Sequence, residues 1–154
     1  MADGDDYSTR WMTHGDTLEV LGIESTLTVP AWTREDFKDA FEDDGVFGRV
    51  AVRLSDNRVV GYVVMQNHRR RVEIIRLVVA KPFRRQGVGT LLMMDIAMRL
   101  SNDRRPYLRV DVPEECLDMQ LFLRHHGIRC VETVEDGNVY RFKHRVPQPM
   151  EVEE

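Results

Sequence analysis

Residues able to do chemistry concentrate between Arg76 and Leu100, in the run RLVVAKPFRRQGVGTLLMMDIAMRL. A β-branched stretch, Leu77, Val78, Val79 and Ala80, leads to a basic turn with glycines, Arg84-Arg85-Gln86-Gly87-Val88-Gly89, which opens at Thr90 into an apolar helix. A strand, a turn of bare backbone and a helix amino terminus make an anion site. The amides of the first helical turn lack intrahelical acceptors, and the positive end of the helix dipole points at whatever sits there. Gly87 and Gly89 carry no Cβ, so backbone can approach a ligand closely; Arg84 and Arg85 add charge. The expected ligand is a phosphate, above all a pyrophosphate. Thr90, Leu91 and Leu92 supply no third glycine for a dinucleotide fingerprint, and the Gly-Lys-Ser/Thr ending of a P-loop is missing.

The elements that must hold this turn follow from periodicity. Ser8 to Thr13 reads as a first strand, and Asp16 as the cap of a helix through about Ser25. Thr33 with Asp36 resembles a capping box and opens a second helix, ended by Gly45, with Phe37, Ala40 and Phe41 on one face. The period then changes to two: Val46 to Leu54 and Arg58 to Gln66 flank a hairpin turn, and Val72 to Ala80 is a third strand. A helix from Gly87 to Asn102, a strand from Tyr107 to Val112 and a helix from Glu114 to His126, closed by Gly127, come next. Ile128 to Val134 and Val139 to Arg145 form a last hairpin around Asp136-Gly137. This order predicts an α/β chain of the α+β type, with a mixed, mostly antiparallel sheet of about seven strands and four flanking helices.

At 154 residues, with 42% apolar and 31% charged content, the chain has the make-up of one globular domain. Residues 1–7 are expected to be disordered, 8–145 to form the domain, and 146–154 to be an acidic, proline-containing tail. No apolar run approaches a bilayer's thickness, so no membrane contact is expected, and the polar start MADGDDYSTR is unlike a secretory signal. Cys116 and Cys130 make neither a metal pattern nor a disulfide framework. No metal is expected, and the expected compartment is a reducing cytoplasm. A formal net charge of −4 argues against general nucleic-acid binding.

Arg84, Gly87 and Gly89 satisfy Arg/Gln-x-x-Gly-x-Gly/Ala, which resembles the coenzyme A pyrophosphate loop of the GNAT superfamily of N-acetyltransferases. The element order is also that of a GNAT fold, so the resemblance covers about residues 8–145. Along the first half, Ile23-Glu24, Pro30, Trp32-Thr33 and Phe37 are similar to the helix pair and loop of ribosomal-protein alanine N-acetyltransferases; Trp32 and Phe37 read equally as core. The resemblance implies acetyl-coenzyme A as co-substrate. The segment Arg84, Arg85, Gln86, Gly87, Val88, Gly89 and Thr90 would hold its pyrophosphate, and backbone of Leu77, Val78 and Val79 its pantetheine arm. Cys116 joins this set, at a position where family members commonly carry an Asn early in the last helix.

Two carboxylates are candidates for the base. Glu73 lies fourteen residues before Gly87, where histone-type members of the superfamily carry a glutamate base. Asp111 falls where the ribosomal-protein enzymes carry theirs, one methylene shorter, which implies a water relay. The plain alternatives are an ion pair of Asp111 with Arg109 or Arg76, and a surface acid at Glu73 beside Arg71. The family's general-acid Tyr position is occupied by Leu123, which holds no proton to give, so thiolate protonation would fall to water, Tyr140 or a nearby His. His125 and His126 read as exposed partners of the helix end, Cys116 as a small buried residue, and Met93, Met94 and Met98 as core packing.

The acceptor is an amine. A lysine amine costs about 4 to 5 kcal/mol to deprotonate at neutral pH, an α-amine only about 1 kcal/mol. A site with a short base and no evident acid favours the α-amine of a protein N-terminus, with a small-molecule amine as the alternative. A coenzyme-binding sensor without catalysis is the reading from another class. A monomer or homodimer is expected. The run His68-Arg69-Arg70-Arg71 reads as a solvated turn, or as a landing patch for an acidic protein, a nucleic acid or the coenzyme's 3′-phosphate.

Overall fold

A computed structural model describes residues 6–27 and 30–146. Among these, seven strands and four α-helices follow in the order β1 (Tyr7–Trp11), α1 (Thr17–Glu24), α2 (Arg34–Phe41), β2 (Val46–Arg53), β3 (Arg58–Asn67), β4 (Arg71–Val79), α3 (Val88–Ala97), β5 (Tyr107–Pro113), α4 (Leu117–His125), β6 (Arg129–Val134) and β7 (Val139–Arg145). The sheet order is β1-β2-β3-β4-β5-β7-β6. Pairing is antiparallel in β1–β2, β2–β3, β5–β7 and β6–β7, and parallel in β4–β5. The expected mixed, mostly antiparallel α/β architecture is the one observed. The chain divides into two compact units, Met1–Gln66 with Arg76–Asp95 and Asn67–Ile75 with Ile96–Glu154.

In the first unit, β1 begins at Tyr7, inside the stretch 1–7 expected to be disordered, and the carbonyl of Asp6 accepts from the Leu54 amide. Residues 1–5 lie outside the described residues. The strand stops at Trp11, short of Thr13, because a 3-10 turn over His14–Asp16 intervenes. Asp16 does not send its side chain forward to cap α1. Its carboxylate turns back instead, accepting from the Thr13 amide at 2.8 Å and from both terminal nitrogens of Arg10. The box at Thr33 and Asp36 forms as the sequence suggests: the Asp36 amide donates to Thr33 Oγ1, and the Thr33 amide to Asp36 Oδ2. β3 departs from simple alternation. Val59 to Met65 are buried without a break, the mark of a central strand covered on both faces.

The second unit holds the start of β4, then β5, β7 and β6, with α4. The parallel ladder runs from Arg71↔Tyr107 to Ile74↔Val110, and β5 pairs with β7 along its whole length, Tyr107↔Arg145 to Pro113↔Val139. Val72, Ile74, Leu108, Val110, Val112 and Phe142 are buried; alternate residues Arg71, Glu73, Arg109, Asp111 and Arg141 stand on the other face. α3 stops at Ala97, five residues before the expected Asn102, and Met94 and Met98 are exposed while Met93 is core. The last hairpin turns through Glu135, Asp136 and Gly137, all three with positive φ. Val146, first residue of the expected tail, still donates its amide to Pro106; residues 147–154 lie outside the described residues. None of the helices among the described residues is long and apolar enough to cross a membrane.

Candidate active site

β4 leaves the sheet at Val79 and reaches α3 through a 3-10 turn, Lys81–Phe83, and then Arg84 to Gly87. The turn needs two left-handed residues: Arg85 has φ 64° and Gly87 φ 85°. Gly87 stands just before α3, and its carbonyl accepts the helix's first bond, from Leu91. Among the described residues nothing lies within 4 Å of where a Cβ at Gly87 would stand. Bare, accessible backbone therefore meets the donor-rich end of α3 at Val88, Gly89 and Thr90, as an anion cradle requires.

The side chains flanking the cradle brace it. Arg84 donates from Nε to the Val79 carbonyl at 2.9 Å, so that carbonyl, expected to serve the pantetheine arm, already has one partner. Gln86 donates to Pro82 O at 3.2 Å and accepts the Tyr7 hydroxyl proton at 2.6 Å. Phe83 is buried, with the Arg53 and Arg58 guanidiniums 5.0 and 5.5 Å from its ring centre and Tyr7 edge-on. Beneath them lies Gly61 of β3. A Cβ there would stand 3.0 Å from the Val78 carbonyl and 3.3 Å from Val88 Cγ1, so the missing side chain lets the end of β4 and the start of α3 settle on β3. Tyr7, Gly61 and Phe83 belong to none of the motifs in the sequence. The lone glycine within an otherwise β-branched strand was the available signal.

Farther down β4, Arg76 pairs with Glu24 of α1. It donates from Nε and Nη2 to the two oxygens of Glu24, both at 2.6 Å. Glu24 is 1% exposed and also accepts from the Trp32 amide at 2.8 Å. The Arg76 guanidinium lies 5.2 Å from the Trp32 ring, which packs edge-on against Phe37, itself against Tyr62. This chain of contacts ties Trp32 and α2 to the inner strands.

In the second unit the two candidate bases sit in different electrostatic settings. Asp111 is gripped by Arg141, Nε to Oδ1 at 2.9 Å and Nη2 to Oδ2 at 3.1 Å, with Arg109 at 3.5 Å. The Arg141 bonds hold its carboxyl below the usual carboxylate range, in spite of partial burial, and raise the guanidinium in turn. The expected ion-pair alternative thus holds for Arg109, while Arg141 is the main partner and Arg76 is taken by Glu24. Glu73 lies looser: His68 donates from Nε2 to Oε1 at 3.0 Å, Arg109 stands 3.7 Å from Oε2 and Arg71 3.9 Å from Oε1. A carboxylate partner selects the Nε2–H tautomer of His68.

The last helix departs from expectation. α4 starts at Leu117, because Cys116 is its N-cap and donates its amide to Pro113 O; Cys116 is partly exposed rather than buried, and Cys130 is exposed. Leu123 is wholly buried. His126 is no exposed capping partner: it is 1% exposed, bonds through Nδ1 to the Phe122 carbonyl and packs on the Phe122 ring, leaving only His125 exposed. Tyr140 lines a cavity of about 210 Å³ with Leu117, Gln120, Leu121 and Cys130, on the α4 side of β6 and β7.

Comparison with known proteins agrees with this architecture. Residues 17–127 match the family model described as Acetyltransferase (GNAT) family. No curated protein matches the chain. Among solved structures, NAA60 of Arabidopsis thaliana with acetyl-CoA is 14% identical, with a TM-score of 0.75 over 92% of this chain and 100% of that one. Naa50 of the same plant, in complex with the bisubstrate analogue CoA-Ac-MVNAL, is 16% identical, with a TM-score of 0.71 over 90% and 97%. The ribosomal-protein-S18-alanine N-acetyltransferase of Escherichia coli is 14% identical, with a TM-score of 0.72 over 96% and 97%. With the family model matched over residues 17–127, most of the chain, and the fold shared with these structures, the chain belongs to the GNAT family of acetyltransferases.

Proposed function

We propose that this acetyltransferase moves the acetyl group of acetyl-coenzyme A onto the α-amine of a polypeptide N-terminus. The observation that carries the reading is Gly87, left-handed and open at the position of its Cβ, at the amino-terminal end of α3. The backbone amides of Gly87, Val88, Gly89 and Thr90 would hold the pyrophosphate, with charge from Arg84 and Arg85; Gln86 serves as their brace through Tyr7 and Pro82. Backbone of Leu77 and Val78, with Val79 partly engaged by Arg84, would meet the pantetheine arm. Bound there, the coenzyme supplies a thioester electrophile. The amine attacks it directly: a C–N bond forms, the C–S bond breaks, and the amine proton goes to a base.

We assign that proton to Glu73. Its loose partners leave its lone pairs within reach of a water or an amine, and half-exposed His68 offers the proton an onward path to solvent. Asp111, with both oxygens bound by Arg141 and a lowered affinity for protons, positions Arg109 instead. Water protonates the departing thiolate, since buried Leu123 has no proton to donate. Such a site serves an amine that is cheap to deprotonate, and the α-amine meets this condition. The bisubstrate analogue bound to Naa50 and the E. coli enzyme's being a ribosomal-protein-S18-alanine N-acetyltransferase support a polypeptide acceptor. Two cysteines, Cys116 and Cys130, with neither a metal pattern nor a disulfide framework in the sequence suit a reducing cytoplasm.

A second reading, a coenzyme-binding module without turnover, is favoured by Leu123 and Cys116 at positions where the family commonly carries a Tyr and an Asn. Calorimetric titration with acetyl-coenzyme A decides between them when followed by thiol release with peptide and small-amine pools. Binding and turnover on peptides is the expected result; binding without turnover on either pool supports the module. Gly87→Glu should abolish binding with the fold kept, because the new side chain projects into open space rather than into protein. Unchanged affinity in that variant removes the basis of both readings.

A further inference from the structure

Two loops far apart in sequence bring arginines together at one end of the second unit. The turn between β3 and β4 carries Arg69 and Arg70, with Arg71 opening β4; the loop before β5 carries Arg104 and Arg105, with Asp103 its one carboxylate. Arg70 donates from Nη1 to the Asp103 carbonyl at 3.1 Å, and Arg105 from Nε to the His68 carbonyl at 2.7 Å. The Tyr107 amide closes on Arg70 O. Ser101 shapes the second loop by accepting from the Arg104 and Arg105 amides. At the same edge, Arg145 of β7 donates to the Tyr107 hydroxyl at 3.3 Å and covers its ring at 5.4 Å.

The partners of these guanidiniums are what sets the cluster apart. Carbonyls and a phenol hold Arg70, Arg105 and Arg145, and among the described residues none of Arg69, Arg70, Arg104, Arg105 or Arg145 is paired with a carboxylate. Glu73, nearest on the sheet face, is already matched to His68 and Arg109. The result is a positive surface, fixed by neutral contacts, on a chain whose formal net charge is −4. Fixed arginines present forked donors that fit carboxylates as readily as phosphates.

We propose that these two loops dock an acidic segment of the acceptor polypeptide, a proposal that rests on the polypeptide reading given above. A peptide fits better than a nucleic acid for two reasons. The Tyr107 face, the one exposed aromatic surface in the cluster, is covered by Arg145 and does not offer a base a stacking platform. The negative charge over the rest of the chain repels a long polyanion but leaves a short acidic stretch free to bind.

The test is fluorescence anisotropy with a labelled octapeptide of Glu and Asp at low salt, on wild type and on Arg69→Glu/Arg104→Glu. Both arginines are exposed, so the fold is expected to survive, which circular dichroism verifies. Wild type should bind, with affinity falling steeply as salt rises, and the variant should bind about tenfold or more weakly. In the thiol-release assay, wild type should prefer acceptors with an acidic run behind the amino terminus, and the variant should lose that preference while short neutral acceptors turn over as before. Equal binding by variant and wild type overturns the proposal. So does tighter binding of a labelled oligouridylate than of the peptide. The anisotropy arm needs no acetyl transfer, so its failure is distinct from failure of the function.

Discussion

Arg141 holds both oxygens of Asp111 across the β5–β7 ladder, at 2.9 and 3.1 Å, where the strand register sets the two residues opposite each other. A doubly bound carboxylate is a poor proton acceptor but a useful strut. Its folded pKa lies below the unfolded value of about 3.9, so its stabilising effect is full above that value and is lost as pH falls through the folded one. Wild type should therefore outlast Asp111→Asn in urea at neutral pH, and the gap between their midpoints should close on acidification below about pH 4. A gap that stays constant down to pH 2 would show that the pair is not what the substitution removes.

The same contrast separates the two carboxylates in catalysis. Glu73→Gln should lower kcat by about 10²- to 10⁴-fold, the usual worth of a positioned base, with coenzyme affinity kept. Asp111→Asn should cost far less. Steady-state kinetics on one peptide acceptor read both, and the reverse ranking would move the proton acceptor to β5. His68→Gln adds a finer reading. It keeps a donor for Glu73 but not the imidazole that would pass the proton on, so kcat should fall while coenzyme affinity is kept.

Local signals were legible in the sequence wherever a residue and its partner are close along the chain. The Thr33–Asp36 box, the Asp136-Gly137 turn and the left-handed turn at Gly87 into α3 are all of this kind, and all formed. Where the sequence misled, a side chain chose another partner than the nearest helix: Asp16 turned to Arg10 and Thr13, and Cys116 became a cap because the Pro113 carbonyl took its amide. What was illegible is the bracing of the site. Tyr7 meets Gln86, Glu24 meets Arg76 and Asp111 meets Arg141 across 79, 52 and 30 residues. Periodicity carries no information about such pairs, since either side chain would look at home on a solvated surface.

Gly61 tests how closely the cradle depends on the strand beneath it. Its Cβ would stand 3.0 Å from the Val78 carbonyl, and backbone on a central strand has little freedom to withdraw. Gly61→Ala should destabilise by about 1–3 kcal/mol, as overpacking does, and should weaken acetyl-coenzyme A binding because β4 and α3 shift together. Gly87→Ala is the companion measurement. It meets no neighbour and carries only the cost of a left-handed alanine, about 1–2 kcal/mol. Thermal unfolding and calorimetry on the two variants distinguish a clash beneath the loop from strain within it. Normal binding by Gly61→Ala would mean that the cradle is shaped by its own turn alone.

Glu24 and Arg76 make the strongest claim on stability. The carboxylate is almost wholly buried, accepts two guanidinium bonds at 2.6 Å and takes the Trp32 amide as well. Such a pair adds little net stability over an apolar pair of equal volume, yet removing one partner strands the other in a low-dielectric site at about 3–5 kcal/mol. Glu24→Ala and Arg76→Ala should each approach that loss, and the double variant should lose much less than their sum. Trp32 reports the local consequence: freed from Glu24 and from the overlying guanidinium, its emission should shift to the red in either single variant, before global unfolding begins. Additive losses in the urea cycle, with unchanged Trp32 emission, would mean that the two side chains act independently and that the segment around Trp32 is held by Phe37 instead.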